Sequence, residues 1–308
     1  DERILVTEME HHSNLVPWQM VAQKAGAELV YWPITPETGS SDGGRLDLQK
    51  LDELLADSVK RKRSFRLLAV SAVSNVLGTV NPIAEIIELA HARGVPVLVD
   101  AAQAAARMPI DVSGWDCDFL AFSGHKIYGP TGIGVLYAKN ERLEEMLPFQ
   151  GGGGMIRQVG RQTSTWADAP QKFEAGTPPV AEVSGLAAAI KYLRNFGMQE
   201  IQRHEYELTT HALKRFAEFE DLELYGPPET IDRCGVVSFN LRNVHPHDVA
   251  QVLDESGIAV RAGHHCTQVL HEKLGIAASV RMSFGIYNEV SEMDRLFSAL
   301  DQCRRYFV

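Results

Sequence analysis

The runs VPVLVD, residues 95–100, and FLAFSGHKIYGPTGIGVLY, residues 119–137, set the architecture. Each opens as an apolar stretch of strand length and stops on polar residues: Asp100 in the first, Ser123-Gly124-His125-Lys126 in the second. The same rhythm precedes them: RILVTE (3–8), a helical pattern near 14–24, AELVYWPI (27–34), a helical pattern near 48–55, RLLAVSAV (66–73) and a helix over 82–93. Strands that are apolar throughout and separated by helices imply a mainly parallel sheet covered on both faces, hence a three-layer α/β domain. Pro82 suits the first turn of its helix and Gly94 its stop.

From 181 to 219 the pattern is helical, with a break at Gly197. Beyond it come LELYG (222–226), GVVSFNL (235–241), a helix near 247–256, IAVRAG (258–263), VRMSFGIY (280–287) and an amphipathic helix over 291–307. Short strands with a few helices read as a smaller α+β unit. The expected division is therefore 1–196 for the large α/β domain and 197–308 for the small one. SSDGG (40–44) and the glycines at 151–154 read as loops.

With 308 residues, 45% of them hydrophobic, the chain is long enough to bury a sizeable core. A net charge of -10 opposes nonspecific attraction to nucleic acid or anionic membranes, both polyanions. No apolar run is long enough to span a bilayer and no signal peptide precedes the first strand, so the default expectation is the cytoplasm or an organelle matrix. The four cysteines, Cys117, Cys234, Cys266 and Cys303, are scattered without a CxxC pair, which suggests neither a disulfide framework nor a zinc ribbon.

In a parallel sheet, ligands collect beyond the carboxyl ends of the strands, where Asp100, Gln103, Ser123, His125 and Lys126 all fall. A lysine beyond one strand and an acid ending its neighbour are what pyridoxal phosphate requires: the amine forms the Schiff base and the acid keeps the pyridine nitrogen protonated. Taken singly, a salt-bridged lysine or a helix-capping aspartate would be the plainer reading. MEHHSN puts His11 and His12 on the same rim, where one could stack on the ring, or both could cap a helix. Asn75 in SAVSNVLGT could reach a ring oxygen. RAGHHC (261–266) follows the apolar IAV. Its adjacent side chains diverge too much for one metal ion, whereas nucleophilic use of Cys266, with histidines to accept its proton, is the better reading. Arg281, a charge inside an apolar run, needs an anion, and a substrate carboxylate suits the bidentate geometry of arginine.

MEHHSN, SNVLGT, VLVDAAQ, FSGHKIYGPTGIGVLY, FEAGTP and RAGHHC together resemble the cysteine desulfurases of the class-V aminotransferase group, in the SufS/CsdA-like branch, from the first residues to the last helix. The resemblance implies the fold-type-I architecture of pyridoxal phosphate enzymes, a homodimer with its active site at the subunit interface, and conversion of L-cysteine to L-alanine with sulfur supplied for iron–sulfur cluster assembly. It implies that His11 stacks on the cofactor, Asn75 and Gln103 touch its oxygen, Asp100 binds its nitrogen, Ser123 and His125 hold phosphate, and Lys126 is the Schiff base. Gly176 and Thr177 would contact phosphate in the partner subunit. Arg281 would bind the substrate carboxylate with Arg261 and Asn75 nearby, and Cys266 would carry the persulfide to a SufE-like or SufU-like acceptor. Selenocysteine lyase activity and a truncated, non-catalytic form are the alternatives. Relatives begin well ahead of the equivalent of Asp1, with a Gly-Thr-Thr phosphate-binding loop and further small-domain segments that do not occur in this sequence. A chain beginning at Asp1 is expected to bind cofactor weakly and to expose apolar surface. The region GSSDGGRLDLQ reads as a surface insertion.

Overall fold

The computed structural model describes residues 2–35, 43–60 and 63–307. Strands β1 (Arg3–Thr7), β2 (Glu28–Trp32), β3 (Phe65–Ser71), β4 (Val97–Asp100), β5 (Phe119–Ser123) and β6 (Gly134–Ala138) form one sheet in the order β2-β1-β3-β4-β5-β6. The first five run parallel. The sixth is antiparallel to β5, because a short turn rather than a crossover helix joins the two. The sheet is thus mixed and mainly parallel.

Alternation along β1 shows why both faces are covered, since successive side chains point to opposite sides. Ile4 and Val6 pack with Ala22 of α1 (Val16–Ala25) on one face. Leu5 packs on the other with Leu51 and Leu55 of α2 (Leu48–Lys60) and Ile86 and Ile87 of α3 (Ile83–His91). Leu68 in β3 is fully buried in that second layer. Truncating it to alanine should cost about 2–5 kcal/mol, read from urea unfolding; a loss under ~1 kcal/mol would mean that this layer is not the stabilising core.

Short helices α4 (Val112–Trp115) and α5 (Asn140–Glu145) follow, and then a two-stranded hairpin, β7 (Ile156–Val159) with β8 (Ser164–Trp166), that the sequence pattern did not suggest. The long helical stretch divides at Gly197 into α6 (Val180–Phe196) and α7 (Met198–Phe216). A second sheet, antiparallel, has the order β11-β12-β10-β9 from β9 (Leu222–Tyr225), β10 (Val236–Leu241), β11 (Arg261–Gly263) and β12 (Ser279–Ser283). Helices α8 (Pro246–Glu255) and α10 (Val290–Phe307) pack on it with α7 around Phe216, Phe239 and Phe297, and α9 (Gln268–Leu274) links β11 to β12. The two sheets meet at backbone level: Cys234 N–H donates to Gly78 O (2.9 Å) and Val80 N–H to Asp232 O (2.7 Å). Any Cβ at Gly78 would strike the Val236 carbonyl, so glycine is required there.

Two expectations need correction. The strand expected at IAV begins instead at Arg261, in register with β12. Of the region read as a surface insertion, GSSDGGRLDLQ (39–49), residues 39–42 lie outside the described residues, while Gly43, Gly44 and Leu46 are buried and Thr79 Oγ1 donates to Gly44 O (2.8 Å). Among the described residues, no helix is long and apolar enough to cross a membrane.

Candidate active site

Strands β1, β3, β4 and β5 end on one rim. His11 opens the 3-10 turn His12–Asn14 just after β1, Asn75 follows β3, Asp100 ends β4, Ser123 ends β5, and Lys126 lies in the 3-10 turn Gly124–Ile127. A cavity of about 230 Å³ opens there, walled by His11, Asn14, Trp18, Asp100, Ser123 and Lys126 and floored in part by Ala102 and Ala121, small residues that leave room for a flat ring. The lysine turn is tight: a Cβ at Gly124 would lie 2.8 Å from the Ile133 side chain. Tyr128 closes it in the left-handed region (φ 63°), and its Oη accepts from Ile286 N–H (3.1 Å), tying the turn to the chain leaving β12.

Electrostatics suit an aldehyde cofactor. Burial pushes the Asp100 carboxyl up, against the Ala102 N–H it accepts at 2.8 Å and the charge of Lys126. A protonated ring nitrogen beside it would add a second positive charge and favour the carboxylate further. Burial pulls the Lys126 amine down, helped by Arg281 and Arg107 and opposed by Asp100 and Cys266. His11 is lowered to about 4 by burial and by Lys126, His12, Arg261 and Arg281, so it stands neutral; its Nδ1 accepts from Ser13 N–H (3.1 Å).

The second sheet supplies the other half. Arg261 and Arg281 are cross-strand partners on β11 and β12. Arg281 Nη1 donates to Asn75 O (3.0 Å), its Nε is buried without a partner, and burial followed by Arg261 and Arg107 lowers it to about 10. Two guanidinium-bearing residues paired across the strands, one with a buried orphan donor, suit an anion. Asn75 in turn donates from Nδ2 to His265 O (2.8 Å), and His12 N–H donates to Cys266 O (2.8 Å), so the cysteine loop is docked on the rim of the first sheet. His265 (φ 53°) and Cys266 (φ 60°) are both left-handed, at about 1–2 kcal/mol each. Cys266 is half-buried.

The histidines expected to take the proton of Cys266 are arranged otherwise. His265 is buried and bonded to Ser279, with burial and Arg281 lowering it to about 3, and His264 meets His271 edge-on at 5.4 Å. The group held against Cys266 Sγ is Arg261 Nη2, at 3.7 Å. Among the described residues, no group of three or more His, Cys, Asp or Glu could hold a metal ion. Gln103 lies half-buried in a series of turns rather than in a helix, and His125 is exposed. Gly176 (φ 91°) and Thr177 are exposed, with Gly176 N–H on Gly153 O (2.8 Å). One buried acid that the sequence pattern does not single out is Glu10, which is 1% exposed and accepts from Thr7 Oγ1, Ser71 N–H, Ser71 Oγ and Asn14 Nδ2. Burial, less those hydrogen bonds, raises it to about 7. Its signal was an acid flanked at i−3 and i+4 by short polar residues just past an apolar strand.

Acid, neutral imidazole and half-buried amine around one cavity form a donor set that fits pyridoxal phosphate. Comparison with known proteins agrees. Residues 1–296 match the class-V aminotransferase family. The chain is 51% identical over 306 residues to a cysteine desulfurase of Haloferax volcanii, covering 99% of this chain and 69% of the relative, and 49% identical over 305 residues to that of Dickeya dadantii, covering 99% and 70%. It is similar to the crystal structure of the Escherichia coli cysteine desulfurase CsdA, with a TM-score of 0.90 at 40% identity over 100% of this chain and 73% of that one. The apo cysteine desulfurase of Thermococcus onnurineus gives a TM-score of 0.89 at 39% identity over 98% and 72%. The chain belongs to the class-V aminotransferase family, in its CsdA/SufS-like cysteine desulfurase branch. As such it is a pyridoxal-phosphate-dependent enzyme with L-cysteine as substrate.

Proposed function

We propose that this site moves the sulfur of L-cysteine onto Cys266, leaving L-alanine. The observation that carries the reading is that Asp100 and Lys126 line one cavity on the rim of the first sheet, onto which the second sheet docks Arg281, through Asn75 O, and the Cys266 loop, through His12 N–H and Asn75 Nδ2. Bound there, pyridoxal phosphate supplies the aldehyde and the electron sink for charge developing at the substrate Cα. Asp100 would hold the ring nitrogen protonated, neutral His11 would cover the ring face, Asn75 and Gln103 would serve the ring oxygen, and Ser123 and His125 would take phosphate. Gly176 and Thr177 would do so for the partner subunit.

Arg281, with Arg261 and Asn75 beside it, anchors the substrate carboxylate. Lys126, already biased toward the free amine, removes the α-proton. The Cys266 thiolate, beside the Arg261 guanidinium, then attacks the substrate sulfur: an S–S bond forms, the C–S bond breaks, and its electron pair stays on carbon to be protonated as alanine is completed. Replacing Arg281 with lysine keeps the charge but loses the fork. It should raise KM for L-cysteine on the order of tenfold or more while kcat changes less, measured by alanine formation; an unchanged KM would remove Arg281 from carboxylate binding.

The persulfide is proposed to pass to a SufE-like or SufU-like acceptor and so to iron–sulfur cluster assembly; the partial exposure of Cys266 supports this access. We further propose a division at Gly197 into domains 1–196 and 197–308, each with its own sheet and principal core. A homodimer is supported by the exposed apolar side chains of Leu136, Leu147, Phe149, Val159 and Val180, which a second copy of the chain would cover. Sedimentation of the holoprotein should give twice the chain mass; a monomer at micromolar concentration would remove the dimer from this account.

A further inference from the structure

The loop that presents Cys266 is held from behind by a buried polar group with no role in the chemistry above. Ser279, 0% exposed at the start of β12, has its Oγ 3.0 Å from His265 Nε2 and 3.0 Å from His271 Nε2. Both imidazoles are buried as well, at 2% and 1% exposure.

Their tautomers follow from partners that can only accept. His265 Nε2 also faces the Ser279 carbonyl at 3.1 Å, so the proton is on Nε2. His271 Nδ1 faces the Thr267 carbonyl at 3.0 Å, so its proton is on Nδ1 and its Nε2 accepts from the Ser279 hydroxyl. The hydroxyl is therefore a two-way junction, taking a hydrogen bond from His265 and giving one to His271. His265 directly precedes Cys266, and the Thr267 carbonyl held by His271 directly follows it, so the junction grips both flanks of the cysteine. Such a grip is needed because His265 and Cys266 both sit in the left-handed region, which neither side chain favours.

Ser279 and Arg281 are two residues apart on one strand, so their side chains share a face at a spacing of about 7 Å. We propose that Ser279 is the positioning residue for the Cys266 thiol, its hydroxyl tying the His265 and His271 rings together so that the cysteine loop keeps a fixed offset from Arg281 on the same strand. The strand that anchors the substrate carboxylate thereby also sets where the attacking sulfur stands. This inference rests on the reading of Cys266 as the sulfur acceptor.

The test uses the holoenzyme. Ser279→Ala should leave the visible shift on binding L-cysteine at a half-saturation within about twofold of wild type, yet slow single-turnover persulfide formation on Cys266 on the order of 10²-fold, the cost of misplacing a reacting atom by about an ångström. Ser279→Thr, which keeps the hydroxyl, should retain most of the rate. The alkylation rate of Cys266 by iodoacetamide, read by peptide mass spectrometry, should shift with Ala and not with Thr. A folded Ser279→Ala enzyme with wild-type persulfide and alkylation rates overturns the proposal. Should Ala fail to fold, ¹⁵N NMR of the wild-type imidazoles decides: opposite tautomers for His265 and His271, with His265 not titrating between about pH 5 and 8, support it. Matching tautomers, or titration of His265 near its ordinary value, overturn it. Cys266→Ser separates the two readings: if that variant still desulfurates cysteine, the acceptor assignment falls, whereas an inactive Cys266→Ser beside an unaffected Ser279→Ala condemns only the inference about Ser279.

Discussion

Cys266→Ser should keep the visible absorbance of bound cofactor and its shift with L-cysteine, while alanine formation falls on the order of 10⁴-fold or more, as when a nucleophile is deleted from a site that otherwise still binds. The expectation is this large because the hydroxyl that replaces the thiol neither forms an S–S bond nor ionises near neutral pH. Substrate binding should survive because the proposed carboxylate anchor is Arg281, whose Nη1 rests on Asn75 O and not on the cysteine loop. The measurement is steady-state alanine production beside a spectral titration; alanine at the wild-type rate would rule out Cys266 as the sulfur acceptor.

Lys126→Ala should be as severe through a different step. It removes the amine proposed to anchor the cofactor and to take the α-proton, and the second loss alone would be worth about 10²–10⁴-fold. Because the amine lines the rim cavity with His11 and Asp100, a lysine elsewhere on the surface does not replace it. The variant should lose the wild-type visible band, whereas an unchanged spectrum would show that the cofactor is anchored elsewhere. Together the two variants separate cofactor chemistry from sulfur transfer: one changes the spectrum, the other leaves it and stops turnover.

The first sheet was legible because β1, β3, β4 and β5 are short apolar runs whose polar exits name the rim, and Asp100 and Lys126 stand at two of those exits. Less legible was whatever depends on pairing partners distant in sequence. The strand at Arg261–Gly263 looks unlike a strand because its charged first residue pairs with Arg281, twenty positions on, at a site that needs two cations. IAV, which looks more like a strand, is simply apolar chain leading into it. The return of β6 is short and closely coupled to the lysine turn, so the parallel pattern hid it. Adjacency in RAGHHC makes the histidines look like partners of Cys266, but the polar group buried with His265 lies on β12 and the cation beside Cys266 comes from β11. Glu10 was hidden for the same reason: two of its four hydrogen bonds come from Ser71, on another strand.

The measurement that bears most directly on sulfur transfer to Cys266 is a single turnover of holoenzyme with limiting L-cysteine, quenched and digested for peptide mass spectrometry beside an alanine assay. The account predicts one additional sulfur atom on the peptide containing Cys266, in equal amount to the alanine released, and none on the peptides of Cys117, Cys234 or Cys303. Alanine released with Cys266 unmodified, or with the sulfur on another cysteine, would contradict it.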